Sequence, residues 1–430
     1  MLDWSLTAGP LPLALTGVGL LAGVGLLVRR GRRWWLRRVP VALLLGLVAG
    51  VGVVVVVDVV WRPFPDPLPR LVAVCLALLV AAAALAVPRP GSWRVKVVAV
   101  LAVLAVALAG AAQVNVYFGA YPTVRTALGL PAANLVDPVH LPGRMPTTVA
   151  ARPGVALSRS WTAPASLPPK GVVSIVSIPG KVSRFTARRA WVYLPPAYVS
   201  TPRAQLPVLV LVAGQPGAPR DWFDGGRLAS TMNTFAAAHA GLAPVVVVAD
   251  PLGGELARTL CVDSRAGNSY TYLSVDVPAW IRANLQVNLD PRGWAIGGLS
   301  SGGTCALQLA VNAPTVYPTF LDISGQDEPT LGTRAWTITE VFGGDAAAFK
   351  RVNPLDVLKT HRFTGSAGLI VAGRDDSMYQ PQARTVLAAT RAAGMDVTYL
   401  ELPGGHSWHV WAGGLEHGLP WIATKTGLTP

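Results

Sequence analysis

The sequence predicts two parts of different class: an all-α region that crosses a membrane four times, and a three-layer α/β domain with a mostly parallel sheet. Three observations predict this division. The 430 residues are 52% hydrophobic and only 13% charged, which is too apolar for an ordinary soluble enzyme. Four long apolar segments follow one another before residue 114. Beyond residue 170, short apolar runs alternate with helical segments, as they do in α/β folds.

The four apolar segments are each near the roughly 20 residues that a helix needs to cross a bilayer. They cover residues 8–28, 40–61, 71–88 and 95–113. A cleavable signal peptide would give one such segment after a basic start, whereas this N-terminus carries no positive charge and the pattern repeats. Residues 1–113 are therefore predicted to form a four-helix transmembrane region.

The loops between these segments predict the orientation, because short loops rich in Arg and Lys stay in the cytoplasm. The first loop and the third hold most of the basic side chains: Arg29, Arg30, Arg32, Arg33, Arg37 and Arg38, then Arg89, Arg94 and Lys96. The N-terminus and everything after residue 113 are thus expected outside the cell membrane. Residues 1–113 carry +8 of the net charge of +14, and the remaining 317 residues carry only +6 with no basic run, so we expect membrane lipids as partners and no nucleic acid.

Residues 114–169 carry Pro and Gly repeatedly, which predicts a linker. Residues 170–430 form the α/β domain. Its predicted strands are eight runs rich in Val, Leu and Ile, at residues 172–178, 189–195, 207–213, 244–249, 293–297, 317–323, 368–372 and 397–402. Segments with a helical period lie between them, at residues 226–240, 274–286, 301–312, 379–393 and 413–424.

A candidate nucleophile follows the fifth predicted strand. Residues 298–302 read Gly-Leu-Ser-Ser-Gly and precede a helical run, so the G-x-S-x-G motif lies in the strand-turn-helix context that it requires. Only Ser300 fits the frame, because the leading glycine for Ser301 would be Leu299. An ordinary glycine-rich turn is the alternative interpretation.

A serine needs a base to take its proton and an acid to orient that base. His406 follows a glycine pair after the last strand, and the pair Asp375 and Asp376 follows the strand before it. The chain order Ser, Asp, His is that of α/β-hydrolases. We predict His406 as the base and Asp376 as the acid, with Asp375 as the competing residue; His409 is expected only to line the pocket.

An oxyanion hole needs two backbone N–H groups that point at the developing charge. One is predicted at Ser301, directly after the nucleophile. The other is predicted in the loop after the third strand, where Pro216 has no N–H, Gln215 is the preferred donor and Gly214 is the alternative.

Several segments also resemble a known family. Residues 190–196 (Ala-Trp-Val-Tyr-Leu-Pro-Pro), residues 298–302 and the run from His406 to Trp411 (H-S-W-x-x-W) look like the esterase branch of the α/β-hydrolases, which includes esterase D and the actinobacterial mycolyltransferases. The resemblance covers about residues 170–424 and implies acyl-enzyme chemistry. Mycolyltransferases use a glutamate as acid and lack a helical membrane anchor, and a trehalose-site pattern is not evident around Arg220 to Trp222, so hydrolysis is expected over transfer.

Three cysteines, Cys75, Cys261 and Cys305, are too few for a disulfide scaffold and lack the spacing of a zinc site. No metal and no cofactor is expected. Cys261 and Cys305 both fall near the carboxyl edge of the predicted sheet in an oxidising compartment, so we predict a disulfide between them. The alternative is that each is a small buried apolar side chain.

Together these features predict a membrane-anchored serine esterase that hydrolyses a lipid or cell-envelope ester on the outer side of the cytoplasmic membrane. Trp222 and Trp408 are candidate substrate-binding residues. Two alternatives stay open: an acyltransferase that acts on an envelope sugar or lipid, and a catalytically silent hydrolase fold used as a binding module. The sequence leaves the natural substrate and the oligomeric state open.

Overall fold

The computed structural model of the chain describes residues 2–62, 67–87, 91–130, 135–136 and 141–430. It divides into two compact units, Met1–Leu130 and Pro131–Pro430.

Helices make up the N-terminal unit. They are α1 (Pro10–Leu27), α2 (Val39–Val55), α3 (Arg70–Ala86), α4 (Trp93–Phe118) and the short α5 (Val124–Ala127), and π-helical turns at Trp34–Arg38 and Val56–Trp61 extend α2 at both ends. Three helices, Pro10–Leu27, Trp34–Trp61 and Trp93–Phe118, are long and apolar enough to cross a membrane by length and composition. The third predicted span, α3, is shorter at 17 residues. Arg89 of the predicted third loop lies outside the described residues.

Small residues let these helices approach one another closely. A Cβ added at Gly46 of α2 would lie 2.5 Å from the Ala77 carbonyl oxygen of α3, and one at Gly19 of α1 would overlap the Ala109 side chain of α4. Gln113 of α4 donates a hydrogen bond to the Thr16 hydroxyl of α1, with Nε2 and Oγ1 2.6 Å apart. Most Leu and Val side chains of the unit point outward. This combination is typical of helices packed in lipid.

A nine-stranded sheet forms the centre of the C-terminal unit, in the order β1-β3-β4-β7-β6-β10-β11-β12-β13. The strand β4 is antiparallel to β3 and to β7, and the remaining neighbours are parallel. These strands are β1 (Leu135–Val136), β3 (Val172–Val176), β4 (Ala190–Leu194), β6 (Val208–Val212), β7 (Val245–Ala249), β10 (Trp294–Leu299), β11 (Thr319–Ile323), β12 (Ala367–Gly373) and β13 (Asp396–Leu402). The prediction of an α/β domain with a mostly parallel sheet is confirmed.

Ten helices of the described residues accompany the sheet. They are α6 (Pro196–Val199), α7 (Leu228–Ala238), α8 (Ser269–Thr271), α9 (Val277–Asn284), α10 (Ser301–Asn312), α11 (Arg334–Phe342), α12 (Ala346–Val352), α13 (Pro354–Thr360), α14 (Tyr379–Ala392) and α15 (Trp408–Lys425). The strands β6, β7 and β10 are buried along their whole length. Such burial explains why their sequences are continuously apolar.

The segment predicted as a linker, residues 114–169, contributes regular structure to both units where the structure describes it. Its residues 131–134 and 137–140 lie outside the described residues. Its first residues end α4. Further on, β2 (Thr148–Val149) pairs in parallel with β5 (Arg203–Ala204), and the Met145 N–H donates to Gln286 Oε1 at 2.7 Å. The second half of this segment thus packs on the C-terminal unit. A further hairpin, β8 (Asp263–Ser264) with β9 (Gly267–Asn268), follows β7.

Candidate active site

Three parallel strands, β10, β12 and β13, end at the same edge of the sheet and carry the predicted catalytic residues. Ser300 follows β10 directly, Asp376 lies three residues after β12, and His406 lies four residues after β13. Because β10, β11, β12 and β13 pair in parallel and in this order, residues far apart in the sequence meet at their carboxyl ends.

A strained turn presents Ser300. Its backbone lies at φ 53°, a left-handed conformation that a non-glycine residue adopts only when its surroundings enforce it. The Ser300 N–H donates to the Ile323 carbonyl of β11 at 2.8 Å, which fixes the turn to the neighbouring strand. A Cβ added at Gly302 would lie 2.6 Å from the Ala213 carbonyl oxygen, and one at Gly298 would overlap the Gly302 backbone. The two motif glycines are therefore required by close backbone contacts.

A chain of two hydrogen bonds links the three residues. His406 Nε2 lies 2.9 Å from Ser300 Oγ, and His406 Nδ1 lies 2.9 Å from Asp376 Oδ2. A carboxylate only accepts hydrogen bonds, so Nδ1 carries the proton and Nε2 is left to accept from the serine hydroxyl. This tautomer is the one that a general base requires.

The structure distinguishes the two adjacent aspartates. The Asp376 side chain is 4% exposed, and its second oxygen, Oδ1, accepts from the Tyr379 N–H at 3.1 Å. Asp375 is exposed, and its Oδ2 accepts from the Gly404 N–H at 3.2 Å. Asp376 thus contacts the imidazole directly, whereas Asp375 contacts the loop that carries it.

Aromatic rings hold the imidazole of His406 from two sides. Tyr379 stacks on it with centroids 4.1 Å apart and planes at 15°, and Trp411 meets it edge-on at 4.9 Å. No sequence motif marks Tyr379, so its role at the site was not predicted. The only sequence signal for that role is its position three residues after Asp376, at the start of α14. His409 is exposed on α15.

The two residues that are predicted to supply the oxyanion donors line the same cleft. Gln215 and Ser301 line one small cleft of about 20 Å³, which has room for a single water molecule. A Cβ added at Gly214 would lie 3.2 Å from the Ser300 Cβ, so the loop after β6 runs directly beside the serine. The choice of Gln215 over Gly214 stays a prediction.

A disulfide joins Cys261 to Cys305. Cys305 is fully buried in α10, and Cys261 lies in the loop after β7, where it lines the same cleft. The bond therefore ties one wall of the cleft to the helix that begins after Ser300. Cys75, in α3, is a free and half-buried thiol.

Burial places Trp222 in the core and away from open solvent. It is completely buried, and its Nε1 donates to the Val212 carbonyl at 3.0 Å. Trp408, also buried, packs edge-on against it with centroids 5.7 Å apart. Both residues were candidates for substrate binding; in this structure Trp222 supports the end of β6 and Trp408 supports Trp222. Sequence patterns do not separate a buried tryptophan from one that lines an open pocket.

A buried acid lies behind the serine turn. Asp322 of β11 is 1% exposed, its Oδ1 accepts from the Gly325 N–H at 2.9 Å, and its Oδ2 has no hydrogen-bond partner among the described residues. Burial raises the pKa of Asp322 to about 7. In the part of the chain that the structure describes, no group of three or more His, Cys, Asp or Glu side chains is arranged to hold a metal ion.

Two comparisons of the sequence with known proteins find relatives of this chain. A family model described as "Putative esterase" matches residues 186–422. An uncharacterized protein of Corynebacterium glutamicum is 38% identical over 413 residues, which cover 93% of this chain and 92% of that protein. Its similarity therefore extends into the N-terminal helices.

Solved structures also resemble the C-terminal part. A ferulic acid esterase superposes with a TM-score of 0.52 at 18% identity, over 60% of this chain and 98% of its own. An S-formylglutathione hydrolase from Agrobacterium tumefaciens superposes with a TM-score of 0.50 at 18% identity, over 62% of this chain and 98% of its own. These likenesses show that the C-terminal part has the predicted α/β-hydrolase fold.

Proposed function

This chain belongs to the Putative esterase family, and from that premise we propose that it is a membrane-anchored serine esterase that hydrolyses a lipid or cell-envelope ester on the outer side of the cytoplasmic membrane. The observation that carries the proposal is the hydrogen-bonded chain from Ser300 through His406 to Asp376. A serine, an imidazole and a buried carboxylate in this order form the arrangement that activates a hydroxyl for acyl transfer.

In the first half of the reaction, Ser300 Oγ attacks the carbonyl carbon of the ester while His406 Nε2 takes the hydroxyl proton. Asp376 Oδ2, which accepts from Nδ1, stabilises the positive charge that the ring then carries. The backbone N–H groups of Ser301 and Gln215 stabilise the negative oxygen of the tetrahedral intermediate. His406 returns the proton to the leaving alcohol, and an acyl-enzyme remains on Ser300.

In the second half, water takes the place of the alcohol. His406 Nε2 removes a proton from the water as its oxygen attacks the acyl carbon, and the same two N–H groups stabilise the second intermediate. Ser300 leaves with the proton that His406 holds, and the free acid departs. Hydrolysis is the default outcome, because another acceptor would need a site that binds it and excludes water.

The N-terminal helices support the membrane part of the proposal. Three of them are long and apolar enough to span a bilayer, and at most 17% of the apolar stretch of each is buried within the protein. Apolar helix surface of this extent has a favourable environment in lipid. The arginines between α1 and α2 favour a cytoplasmic first loop. The outer location of the hydrolase part also requires α3, whose 17 residues are at the lower limit for a span, to cross the membrane as the fourth helix; with three crossings the hydrolase part would lie in the cytoplasm.

A membrane anchor suggests a substrate that is concentrated at the membrane. A soluble ester would diffuse to an unanchored enzyme equally well, whereas a lipid ester stays within reach of an anchored one. We therefore infer an ester of a membrane lipid or of another envelope component as the substrate class.

A reconstitution experiment tests the substrate. The full-length protein and its Ser300→Ala variant are placed in phospholipid vesicles, and release of acyl groups from the vesicle lipids is measured beside cleavage of p-nitrophenyl acetate. We expect the unsubstituted protein to act on both and the Ser300→Ala variant on neither. Cleavage of the soluble ester alone, with the vesicle lipids left intact, would contradict the lipid substrate and still support an esterase.

Single cysteines test the orientation. In a Cys75→Ala background, Ser92→Cys and Thr201→Cys place a thiol before α4 and on the hydrolase part; both positions are exposed, whereas the neighbouring Ser200 is buried. An impermeant maleimide applied to intact cells should label Thr201→Cys, and should label Ser92→Cys only after lysis. The reverse pattern would overturn the orientation.

A further inference from the structure

The loop that supplies Gln215 is held in place almost entirely by hydrogen bonds from outside it. We call residues 213–218 the oxyanion loop. Gln215 Nε2 donates to the Leu256 carbonyl at 3.2 Å, and the Gly217 N–H donates to the Glu255 carbonyl at 3.3 Å. Both bonds are long, and both go to the loop after β7. At the far end of the oxyanion loop, the Ala218 N–H donates to Asp221 Oδ2 at 2.7 Å. A firm attachment nearer to Gln215 is needed to keep its backbone N–H aimed within the tolerance that an oxyanion hole demands.

Arg188, two residues before β4, supplies that attachment. Its Nη2 donates to the Gly217 carbonyl at 2.7 Å and to Asp250 Oδ1 at 2.7 Å, and its Nε donates to Asp250 Oδ2 at 3.0 Å. The guanidinium therefore grips the carboxylate with two parallel bonds and the oxyanion loop with a third. A planar, two-point grip of this kind fixes direction as well as distance.

Asp250 anchors the arginine from the end of β7. It is fully buried and accepts five hydrogen bonds: three from Arg188, through its backbone N–H, Nε and Nη2, and one each from the N–H groups of Leu252 and Gly253. A buried carboxylate with this many donors has little freedom to move. The loop that begins at Leu252 leads to Cys261, which the disulfide fixes to α10.

Arg188 and Asp250 thus lie between the two loops that line the cleft beside Ser301. On one side it holds the oxyanion loop at Gly217, and on the other it holds the loop after β7 at Leu252 and Gly253. Only Pro216 separates Gly217 from Gln215, and its ring restricts the backbone between them. A displacement of Gly217 is therefore passed on to the Gln215 N–H.

We propose that Arg188 is a positioning residue: anchored on Asp250, it holds the oxyanion loop so that the Gln215 N–H points at the oxyanion. The inference rests on the proposed esterase function. The hydrogen bonds of Arg188 go to Asp250 and to the Gly217 carbonyl, so it acts on the rate of the chemical step through Gly217, and we expect substrate binding to stay largely unchanged.

The test compares two neighbouring arginines in the full-length protein in detergent. Arg188→Lys keeps the charge but loses the two-point grip, and Arg188→Met loses both; Arg189→Met is the matched control, because Arg189 is exposed. Steady-state rates on p-nitrophenyl acetate are divided by the number of active sites that a fluorophosphonate titrates. Thermal unfolding is followed for each variant.

We expect Arg188→Lys to lower kcat at least about 10-fold and Arg188→Met about 100-fold, with KM nearly unchanged, since a misplaced oxyanion donor costs about that much. Arg188 is 29% exposed, so added methylguanidinium should restore part of the kcat of Arg188→Met, and methylammonium should not. Arg189→Met should match the unsubstituted protein in every measurement.

Three results would overturn the inference: an Arg188→Lys enzyme with the kcat of the unsubstituted protein, a loss that disappears when rates are divided by titrated sites, or a loss that follows KM instead of kcat. If Arg188→Met does not fold, the Arg188→Lys result decides alone. An unsubstituted protein with no esterase activity would instead refute the proposed function, and is thereby distinguished from failure of this inference.

Discussion

The adjacent acids Asp375 and Asp376 allow a matched test of the orienting carboxylate. In Asp376→Asn, the oxygen that accepts from the Tyr379 N–H can keep its partner, which turns the new NH₂ group toward His406 Nδ1. Two donors then face each other across a distance that is now 2.9 Å. The imidazole has to move its proton from Nδ1 to Nε2 to relieve this clash, and Nε2 can then no longer accept from Ser300.

The size of the expected fall in kcat follows from the loss of His406 as the general base. An imidazole held in the wrong tautomer lowers kcat by about 10³- to 10⁴-fold in triads of this kind, or about 4 to 5 kcal/mol in the barrier. Asp375→Asn should change kcat less than about threefold, because its carboxylate is exposed and contacts the Gly404 N–H, to which an amide oxygen can still bond.

The assay is saturating p-nitrophenyl acetate hydrolysis by the full-length protein in detergent, with thermal unfolding as a check that both variants fold. The two variants carry the same Asp→Asn substitution at adjacent positions, so each is the control for the other. If Asp375→Asn abolishes turnover and Asp376→Asn leaves it intact, Asp376 is not the acid that fixes the tautomer of His406.

Three further changes have defined outcomes. Removing the disulfide by Cys261→Ser and Cys305→Ser, which frees a loop closed over 44 residues, should destabilise the fold by about 3 to 4 kcal/mol; equal unfolding midpoints with and without it would contradict this. Burial raises the pKa of Asp322 to about 7, whereas the unfolded value is about 3.9, so the folded state holds a proton that the unfolded state has lost and stability should fall as pH rises from about 4 to about 7. Asp322→Asn should flatten that slope in unfolding titrations, and an unchanged slope would reject it. Gly298→Ala, whose new Cβ would overlap the Gly302 backbone, should abolish activity or folding, and an active, stable variant would show that the turn relaxes.

Sequence patterns predicted the sheet well because its central strands are buried. Each of the eight runs rich in Val, Leu and Ile became a strand. Every residue of β6, β7 and β10 is buried, and a strand covered on both faces is continuously apolar; the edge strand β13 is partly exposed. Ser300 was predictable because the serine turn requires glycines at fixed offsets. His406 was predictable because the chain order limits where a base can stand.

Long-range packing explains what the sequence did not reveal. The helices α11, α12 and α13 fill residues 334–360 between β11 and β12, where Gly343, Gly344 and Pro354 interrupt any apolar period. The choice between Asp375 and Asp376 depends on how the chain turns after Gly373. The burial of Trp222 depends on its hydrogen bond to the Val212 carbonyl. Arg188 lies 62 residues from Asp250, and no local pattern connects them.

Labelling with a fluorophosphonate shows whether Ser300 is an activated nucleophile, because only an activated serine beside a working base reacts rapidly with it. We expect rapid, stoichiometric labelling of the full-length protein in detergent, a modified peptide that carries the label on Ser300, and no labelling of Ser300→Ala or His406→Ala. An unlabelled protein with an intact fold, or a label found on Ser301 in place of Ser300, would contradict it.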